Sequence, residues 1–554
     1  MKKNTRMNYW LIGILAAAFI IRFWGIGNAD ILGDEAAQAF RSIGYLDYFG
    51  SSFQTQPVDW FKDRVLPKWT SLSFHDDPPL FFIIQHLFFN VFGDTPLTAR
   101  LPGIFAGTFS TWLIYLISGL ALRPNENWTL ENLRQADGIS LLAAAIFAIE
   151  PATVGIFRTS LIEPVLIFFI LLNFYWFLRF LDDRKEWLMF GITFGAVALT
   201  KYTGIFLLPA YFVYLLIFDR DILKKWHFYA SLLITLLMFT PVLVYNFYLY
   251  RTVGHFDLQF AYLLGQETPE WTGLIGKEQA PFSEILGNLG KSYGWPMLIL
   301  ALFGGLNSIW LYRGNRRKMA LIWLYFAFLA LLLMAIGSAV RFLSLLSPVI
   351  AVLSSVGLWT LWSFRPGSLA NYASKSLVIL SFGYLLFFAV EKNIVGFPSY
   401  GINALDDYFM EEFKGVESAV IPESDNRHLN NLILSFAEEK SDKPRAKILI
   451  VYNDNVALPT LEWIFYRRFF YHSIPTLFVE NFQKVLVSAG PDYFRGFTVY
   501  FVQSTENTPL NPFKADKIAG AEFENLVLAQ GVKIDRSITE TGGKEMFRIY
   551  KWEM

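Results

Sequence analysis

The chain has 554 residues, of which 54% are hydrophobic and 17% are charged, and its formal net charge is zero. Soluble domains carry about 25% charged residues, so the composition favours a membrane protein, and the neutral balance gives no electrostatic basis for binding nucleic acid. The chain has no cysteine, which excludes disulfides, cysteine-ligated metals and thiol nucleophiles.

Long apolar runs fill the first part of the chain up to residue 395. A bilayer-spanning helix needs roughly 20 mostly apolar residues, and on that measure we predict about eleven spans. They lie at residues 8–28, 99–122, 139–157, 161–181, 187–201, 204–219, 227–249, 294–312, 319–338, 341–364 and 375–395. The first run is not followed by a small-residue cleavage site, so it is interpreted as a span rather than a signal peptide.

The positive charges of the short connections predict one orientation, because lysine and arginine are enriched in cytoplasmic loops. They occur at the N-terminus and at every second connection: Lys2, Lys3 and Arg6; Arg123 and Arg134; Arg184 and Lys185; Arg220, Lys224 and Lys225; Arg313, Arg316, Arg317 and Lys318; Arg365 and Lys375. We therefore expect a multi-pass protein of the plasma (inner) membrane, with a cytoplasmic N-terminus and an extracytoplasmic C-terminal region.

Two long connections, residues 29–98 and 250–293, fall on the predicted outer side. Within the first, the apolar stretch 79–92 is too short to span comfortably and is expected to lie at the membrane interface. Residues 1–396 are thus predicted to form one membrane domain that carries these two loops.

Residues 397–554 have a different character, with frequent charges and short β-rich runs at 447–452, 498–502 and 546–550. Helix-like segments lie between them at 456–470 and 477–489. Strands that alternate with helices predict a small extracytoplasmic α/β domain with its own core. It contains no glycine-rich phosphate-binding loop.

Acidic motifs occupy the first outer loop. Asp34 and Glu35 follow Gly33, and they are explained either as the first turn of a helix or as a carboxylate that accepts a proton from a hydroxyl or holds a metal. Asp77, which precedes two prolines, fits a helix N-cap. That interpretation leaves His75 and Asp76 unexplained.

Further charges lie at the ends of predicted spans. Glu163 begins a span and needs a partner or solvent, and Arg158 is a candidate for a structural ion pair with it. Lys201 and Arg341 are explained equally well as cations at span ends whose side chains extend toward the membrane surface. However, the span count places all these motifs on the outer face, and cations beside carboxylates suit an anionic phosphate next to a general base.

In their order, these segments resemble the GT-C superfamily of membrane glycosyltransferases, in particular the protein O-mannosyltransferases and the bacterial lipid A aminoarabinose transferases. The matching pieces extend from the first span to Pro348. They are GDEA at 33–36, DDPPLFF at 76–82, FGD at 92–94, TARLPG at 98–103, RTSLIEP at 158–164, LTK at 199–201 with Leu208 and Pro209, and RFL at 341–343.

The resemblance implies an α-helical polytopic membrane protein of the GT-C fold. It also implies transfer of a sugar, hexose or pentose, from a polyprenyl-phosphate donor to a hydroxyl of a protein, lipid or glycan acceptor at the outer face, by inverting displacement. Negative charge grows on the lipid phosphate as the bond breaks, and cations stabilise that charge most in the transition state.

The resemblance also assigns roles to residues. Asp34, with Glu35, corresponds to the carboxylate that activates the acceptor. The implied phosphate-binding residues are Arg158, Lys201 and Arg341, and the implied substrate-binding or supporting residues are His75, Asp76, Asp77 and Glu163. A divalent metal is left open, with Asp34, His75 and Asp76 as candidate ligands, and no other cofactor is implied.

The alternative function is a membrane transporter or lipid flippase. Transporters usually carry charges at mid-membrane on broken helices and often contain repeated halves. Here the charges lie at span ends and no repeat is visible in the sequence. A third hypothesis, a scaffold whose outer domain binds a partner, explains residues 397–554 but leaves the clustered loop motifs unexplained.

Overall fold

The computed structural model describes residues 9–44, 77–122, 130–266, 284–311, 316–363, 367–397, 399–424, 427–438, 443–453, 458–508 and 518–554. His75 and Asp76 lie outside these residues, as do the N-terminal cations and parts of both long connections. The chain divides into two compact units. Unit 1 comprises Met1–Ile26, Phe53–Ile84 and Arg100–Gly396, and unit 2 comprises Gly27–Ser52, Gln85–Ala99 and Phe397–Met554.

In the described part of the chain up to Gly396, every predicted span contains α-helix. Its α-helices are α1 (Tyr9–Phe23), α2 (Asp34–Gly44), α3 (Leu80–Phe92), α4 (Pro96–Leu122), α5 (Leu130–Ile149), α6 (Pro151–Phe157), α7 (Glu163–Asp182), α8 (Trp187–Thr200), α9 (Leu207–Phe218), α10 (Trp226–Val253), α11 (Leu258–Leu264), α12 (Ile285–Tyr293), α13 (Trp295–Leu311), α14 (Arg316–Ile336), α15 (Val340–Leu343), α16 (Ser347–Ser363) and α17 (Ser368–Val390). Short 3-10 turns cover Ile26–Asn28, Arg184–Glu186, Tyr202–Phe206, Arg220–Lys224 and Ser344–Leu346, and a π-turn covers Glu391–Val395.

Among the described residues, seven helices are long and apolar enough to cross a membrane, and an eighth span results if α5 and α6 count as one. The shorter apolar helices are Leu80–Phe92, Tyr202–Phe218 and Trp295–Ile309. Helices dominate because a bilayer offers no water to satisfy exposed backbone groups. The prediction of a multi-pass protein is confirmed, and the count of eleven spans stays a prediction.

The bend of 57° between α5 and α6 falls where Pro151 removes a backbone donor. Glu150 caps the new helix by accepting hydrogen bonds from the amides of Ala152 at 2.8 Å and Thr153 at 3.1 Å. The buried Arg22 donates to the carbonyl oxygen of Ala148 at 2.9 Å, at the end of α5, where carbonyls lack helical partners. These hydrogen bonds stabilise the break and the start of α6, which ends at Phe157 with Arg158 as its C-cap.

The C-terminal part of unit 2 combines helices with a mixed sheet. The helices are α18 (Ile402–Glu412), α19 (Arg427–Glu438), α20 (Leu458–Leu461), α21 (Arg467–Phe470), α22 (Val479–Ala489) and α23 (Ile518–Ala529), with a π-turn at Glu462–Tyr466 and a 3-10 turn at Pro491–Phe494. The strands are β1 (Glu417–Ser418), β2 (Arg445–Ala446), β3 (Ile448–Tyr452), β4 (Thr476–Phe478), β5 (Thr498–Ser504), β6 (Ile534–Thr539) and β7 (Glu545–Glu553).

Five of these strands form one sheet in the order β4-β3-β5-β7-β6, and β1 pairs with β2 separately. β3 is parallel to β4 and β5, whereas β7 is antiparallel to β5 and β6. Ile448 and Ile450 face one apolar core, and Leu449 and Val451 face another. Both faces of β3 are therefore covered, which explains why its sequence is a continuous apolar run, and the α/β prediction is confirmed.

Segments from the first long loop belong to unit 2. The small or aromatic side chains Ala36, Ala39 and Phe40 of α2 lie in the same core as Phe409 and Tyr471. The unit boundary at Phe397 coincides with the predicted start of the second domain, but unit 2 also takes in Gly27–Ser52 and Gln85–Ala99, which the sequence prediction assigned to the membrane domain.

Polar contacts fix these loop segments. The Asp30 carboxylate accepts a hydrogen bond from the backbone amide of Asn403 at 2.9 Å, and the Asn403 side chain donates to the carbonyl of Ala29 at 2.6 Å. The Asp94 carboxylate lies 2.8 Å from Nε2 of His472. The start of the first loop and its end are thus built into one folded body with the C-terminal region.

Candidate active site

The centre of the candidate site in unit 1 is an ion pair between two helix ends. α7 begins at Glu163, and α8 ends at Thr200, so Lys201 leaves the helix in an extended conformation with φ −161° and ψ 135°. The Lys201 Nζ donates to Oε1 of Glu163 at 2.9 Å. The side chain of Glu163 is 1% exposed and that of Lys201 is 13% exposed, so the pair is held largely out of solvent.

Asp77 is the second carboxylate near this lysine, with Oδ1 at 4.0 Å from the Lys201 Nζ. That separation allows charge attraction but exceeds hydrogen-bond distance. The structure thus brings together three predicted site residues from distant parts of the chain, namely Asp77, Glu163 and Lys201. The partner of Glu163 is Lys201 and not Arg158, so the ion pair that the sequence suggested is wrong.

Arg341 joins the group through an aromatic ring. Its guanidinium carbon lies 4.9 Å from the centre of the Phe342 ring, and the Lys201 Nζ lies 5.7 Å from the same centre. The charges of Lys201 and Arg341 both act on the Glu163 carboxylate. Both cations therefore lie beside the Phe342 ring, and the negative face of an aromatic ring attracts positive charge.

Arg158 is engaged elsewhere in unit 1. Its Nη1 atom donates to the carbonyl oxygens of Ile21 and Arg22, both at 3.1 Å, and of Trp24 at 2.7 Å. These carbonyls lie at the C-terminal end of α1, which lacks helical donors and carries the negative end of the helix dipole. Arg158 therefore ties α6 to α1, and its assignment to the donor phosphate stays a prediction.

Asp34 and Glu35 open α2 in unit 2. Gly33 has φ 53°, a left-handed conformation that favours glycine, and its carbonyl accepts from the Ala36 amide at 3.0 Å. Asp34 is exposed, whereas Glu35 is buried. The exposed carboxylate at a helix N-terminus confirms the local structural interpretation, and the catalytic role of both residues stays a prediction.

The described residues contain no group of three or more histidine, aspartate and glutamate side chains arranged to hold a metal ion. Two of the three predicted metal ligands, His75 and Asp76, lie outside those residues. The metal hypothesis and the assignment of His75 and Asp76 to substrate binding therefore stay predictions.

Three residues of the site were not singled out from the sequence. Phe342 was noted only as part of a motif, although its ring contacts both cations. Tyr202 follows Lys201 directly, and its hydroxyl donates to the buried Asp257 at 2.7 Å. Asp257 caps the short helix that follows it, but that local pattern does not reveal its contacts with Tyr202 and Asn246, which lie 55 and 11 positions away.

Comparison with known proteins agrees with this architecture. The sequence model of the dolichyl-phosphate-mannose-protein mannosyltransferase family matches residues 76–245, which include Asp77, Glu163 and Lys201. YycA of Bacillus subtilis (strain 168), which carries a provisional mannosyltransferase name, is 26% identical over 243 residues, or 43% of this chain and 31% of YycA. The chain thus matches about a third of the length of such curated relatives.

Solved structures show the same fold. The Archaeoglobus fulgidus oligosaccharyltransferase tethered with an acceptor peptide has a TM-score of 0.55 at 13% identity, covering 98% of this chain and 74% of that chain. ArnT from Cupriavidus metallidurans bound to undecaprenyl phosphate has a TM-score of 0.53 at 12% identity, covering 98% of both chains.

The protein is therefore a multi-pass membrane protein with the fold of the GT-C superfamily. Its matched region is mannosyltransferase-like in sequence. The predicted resemblance and fold class are confirmed.

Proposed function

We propose that the chain is a glycosyltransferase that moves a sugar from a polyprenyl-phosphate donor to an acceptor hydroxyl at the outer face of the membrane. The observation that carries the proposal is the buried Lys201–Glu163 pair with Asp77, because all three residues fall inside the region that matches the mannosyltransferase family. ArnT bound to undecaprenyl phosphate supports a lipid phosphate as the leaving group.

Lys201 suits the role of phosphate ligand. An ammonium group has three N–H donors, and Glu163 accepts one of them at 2.9 Å. The remaining donors are available to a phosphate oxygen, while Glu163 keeps the lysine charged and fixed. Arg341 adds a second positive charge beside the same ring. Both cations stabilise the negative charge that grows on the phosphate as the sugar leaves.

Asp34 is the proposed general base. Its carboxylate is exposed at the start of α2, where it can accept the proton of an acceptor hydroxyl. Attack by that hydroxyl from the side opposite the phosphate is a single displacement, which inverts the anomeric carbon. Glu35 is buried next to it and is assigned to supporting Asp34.

The core of unit 2 supports placing the loops that contribute to it on one side of the membrane. Phe40 follows α1, Phe89 precedes α4 and Tyr471 follows α17, yet all three side chains lie in one core. This shared core supports the proposal that the three segments lie on the same side of the membrane. The lysine and arginine residues of the alternate connections favour the outer side for them, with the N-terminus in the cytoplasm.

The donor is proposed to carry a hexose or a pentose, and the match to mannosyltransferases favours a hexose. The acceptor class is a hydroxyl of a protein, lipid or glycan. No step requires a nucleotide, since the donor is already activated by its phosphate.

The experiment is incubation of the purified protein with a panel of polyprenyl-phosphate sugars, followed by mass spectrometry of candidate acceptors. Asp34→Asn is expected to lower transfer by about 100-fold or more, the usual contribution of a general base. Glu480→Gln is the matched control, because Glu480 is also an exposed acid in the first turn of a unit 2 helix. Full activity of Asp34→Asn would remove Asp34 from this role, and substrate movement across sealed vesicles without product would favour the transporter or flippase.

A further inference from the structure

Asp257 is a buried carboxylate that the reaction described above does not use. It is 0% exposed, and it lies just after α10, in the second long connection. Its Oδ1 caps α11 by accepting from the Phe260 amide at 3.1 Å. Its Oδ2 accepts from the Asn246 side chain at 2.9 Å and from the Tyr202 hydroxyl at 2.7 Å.

The cap alone does not explain an aspartate here. Capping needs a single oxygen, which serine, threonine or asparagine supplies equally well, whereas a buried carboxylate costs free energy unless it is well bonded. The second oxygen is the atom that joins Tyr202 and Asn246. The backbone amide of Asp257 also donates to Oδ1 of Asn246 at 2.8 Å, so the carboxylate is held rigidly on the end of α10.

The segment that carries Asp257 is itself well ordered by local contacts. Gly254 with φ 89° ends α10, and Gly265 with φ 65° ends α11, both in left-handed conformations. The Gln266 side chain accepts a hydrogen bond from the Phe256 amide at 2.9 Å. These contacts close residues 254–266 into a turn that carries Asp257.

The other end of the contact lies beside the active lysine. Tyr202 starts the 3-10 turn directly after Lys201, and its ring packs against Phe260 with centres 5.0 Å apart. The hydroxyl and the ring therefore both fix Tyr202 to residues 254–266. Because Lys201 and Tyr202 share a peptide bond, the position of one backbone restrains the other.

We propose that Asp257 is a positioning residue that, through Tyr202, holds the backbone at Lys201 so that its ammonium group stays against Glu163. The importance of this effect for catalysis rests on the proposed function, whereas the effect on Lys201 itself does not. Residues 254–266 of the second long connection thereby support the lysine that we propose as the phosphate ligand.

The test compares Tyr202→Phe and Asp257→Asn with Tyr211→Phe in the full-length protein. The control is matched because the Tyr211 hydroxyl is also buried and donates to a side chain, Oδ1 of Asn173, at 2.9 Å. The rate at which an amine-reactive ester labels Lys201 is measured by mass spectrometry, with the exposed Lys224 as the internal reference. We expect Tyr202→Phe and Asp257→Asn to raise labelling of Lys201 by about 2- to 10-fold, as loss of one hydrogen bond predicts.

Tyr211→Phe is expected to leave labelling unchanged. The double variant Tyr202→Phe with Asp257→Asn is expected to match the larger single effect, since both changes remove the same bond. If Asp257→Asn fails to fold, the labelling of Tyr202→Phe alone tests the inference, because this variant removes only one hydroxyl and is expected to fold. Unchanged labelling in folded Tyr202→Phe, or fully additive effects, would overturn the inference.

Kinetics separates the inference from the proposed function. With an active donor, the two variants are expected to raise KM for the donor and to leave the acceptor KM unchanged. Altered labelling in a protein that transfers no sugar would retain the positioning role and reject the glycosyltransferase. Normal transfer kinetics and normal labelling in both variants would reject the positioning role alone.

Discussion

The Lys201 Nζ lies 2.9 Å from Oε1 of Glu163, although 38 residues separate the two in the chain. Both side chains are largely buried. The pair joins the end of one apolar helix to the start of another, and it holds a positive charge at the helix end where we propose that the donor phosphate binds.

Lys201→Ala is expected to destabilise the protein by about 3–5 kcal/mol, because it leaves the buried Glu163 carboxylate without its partner. Adding Glu163→Ala is expected to restore part of that loss, since the uncompensated charge is then gone. Lys224→Ala is the control, because its ion pair with Asp221 is exposed, and a change within about 0.5 kcal/mol is expected. Denaturant unfolding in detergent measures these three variants and the natural protein, and a double variant no more stable than Lys201→Ala would contradict the coupling.

Phe342→Leu tests the shared ring. Leucine keeps apolar volume but removes the aromatic face beside Lys201 and Arg341. An increase of about 2- to 10-fold in KM for a polyprenyl-phosphate donor is expected, in line with the usual strength of a cation–aromatic contact. Phe342→Tyr restores a ring and is expected to behave like the natural protein. Equal kinetics for the leucine and tyrosine variants would show that only volume matters.

Arg158→Ala tests whether this arginine binds phosphate or holds helices. Its hydrogen bonds to carbonyls of α1 predict a loss of about 1.5–3 kcal/mol in stability, as for bonds from a charged donor. The donor KM of the folded fraction is expected to stay unchanged. Arg179→Ala, which removes a half-exposed ion pair, is expected to cost under about 1 kcal/mol. A raised donor KM at unchanged stability would instead support the phosphate role.

Acid is expected to weaken unit 2. Burial disfavours the charged form of Asp406 and by itself would raise the pKa of this carboxyl. The combined attraction of Arg467 and Arg468 is larger than that effect, so the pKa lies below its usual range. Asp94 behaves likewise, because His472 and Arg467 outweigh burial and lower its pKa. In the unfolded chain such carboxyls have a pKa of about 4, so the unfolded state binds protons first. Their contribution is complete at neutral pH and is lost as the pH falls below about 5 toward the folded pKa values.

Thermal unfolding between about pH 3.5 and pH 7 measures this loss. Asp406→Asn is expected to lower stability at neutral pH, because it removes the charge between two buried arginines, and to reduce the acid dependence. Asp492→Asn, at an exposed position, is expected to leave the curve unchanged. A pH profile that Asp406→Asn does not alter would remove Asp406 as its source.

The sequence predicted the helices and three central strands well, because each has a strong period or a continuous apolar run. β3 is such a run, Ile448–Tyr452. β4 has only three residues, and β6 is largely exposed at the sheet edge with a polar sequence, so neither carries a pattern that predicts a strand.

The sequence identified the residues of the candidate site better than it identified the contacts between them. Lys201, Glu163 and Asp77 were all identified from motifs, but the pairing was not, since Arg158 is nearer to Glu163 in sequence and has the same charge as Lys201. The carbonyl groups of α1 that accept hydrogen bonds from Arg158 lie far from it in the sequence. Their contact with Arg158 is therefore visible only in the folded protein. The local pattern around Asp257 indicates only a helix cap, because its contacts with Tyr202 and Asn246 form only in the folded protein.

The core of unit 2 has a consequence for biosynthesis. The Tyr471 hydroxyl donates to the carbonyl of Phe40, 431 residues earlier. At the usual elongation rate of 5–20 residues per second, the ribosome needs about 20–90 s to make the second partner after the first. During that interval α2 lacks the part of its core that the C-terminal region supplies, and the incomplete core exposes apolar surface of the kind that chaperones bind. A chain shortened at Gly396 never completes this core, so truncation would report on misassembly of the nascent loop and not on acceptor choice.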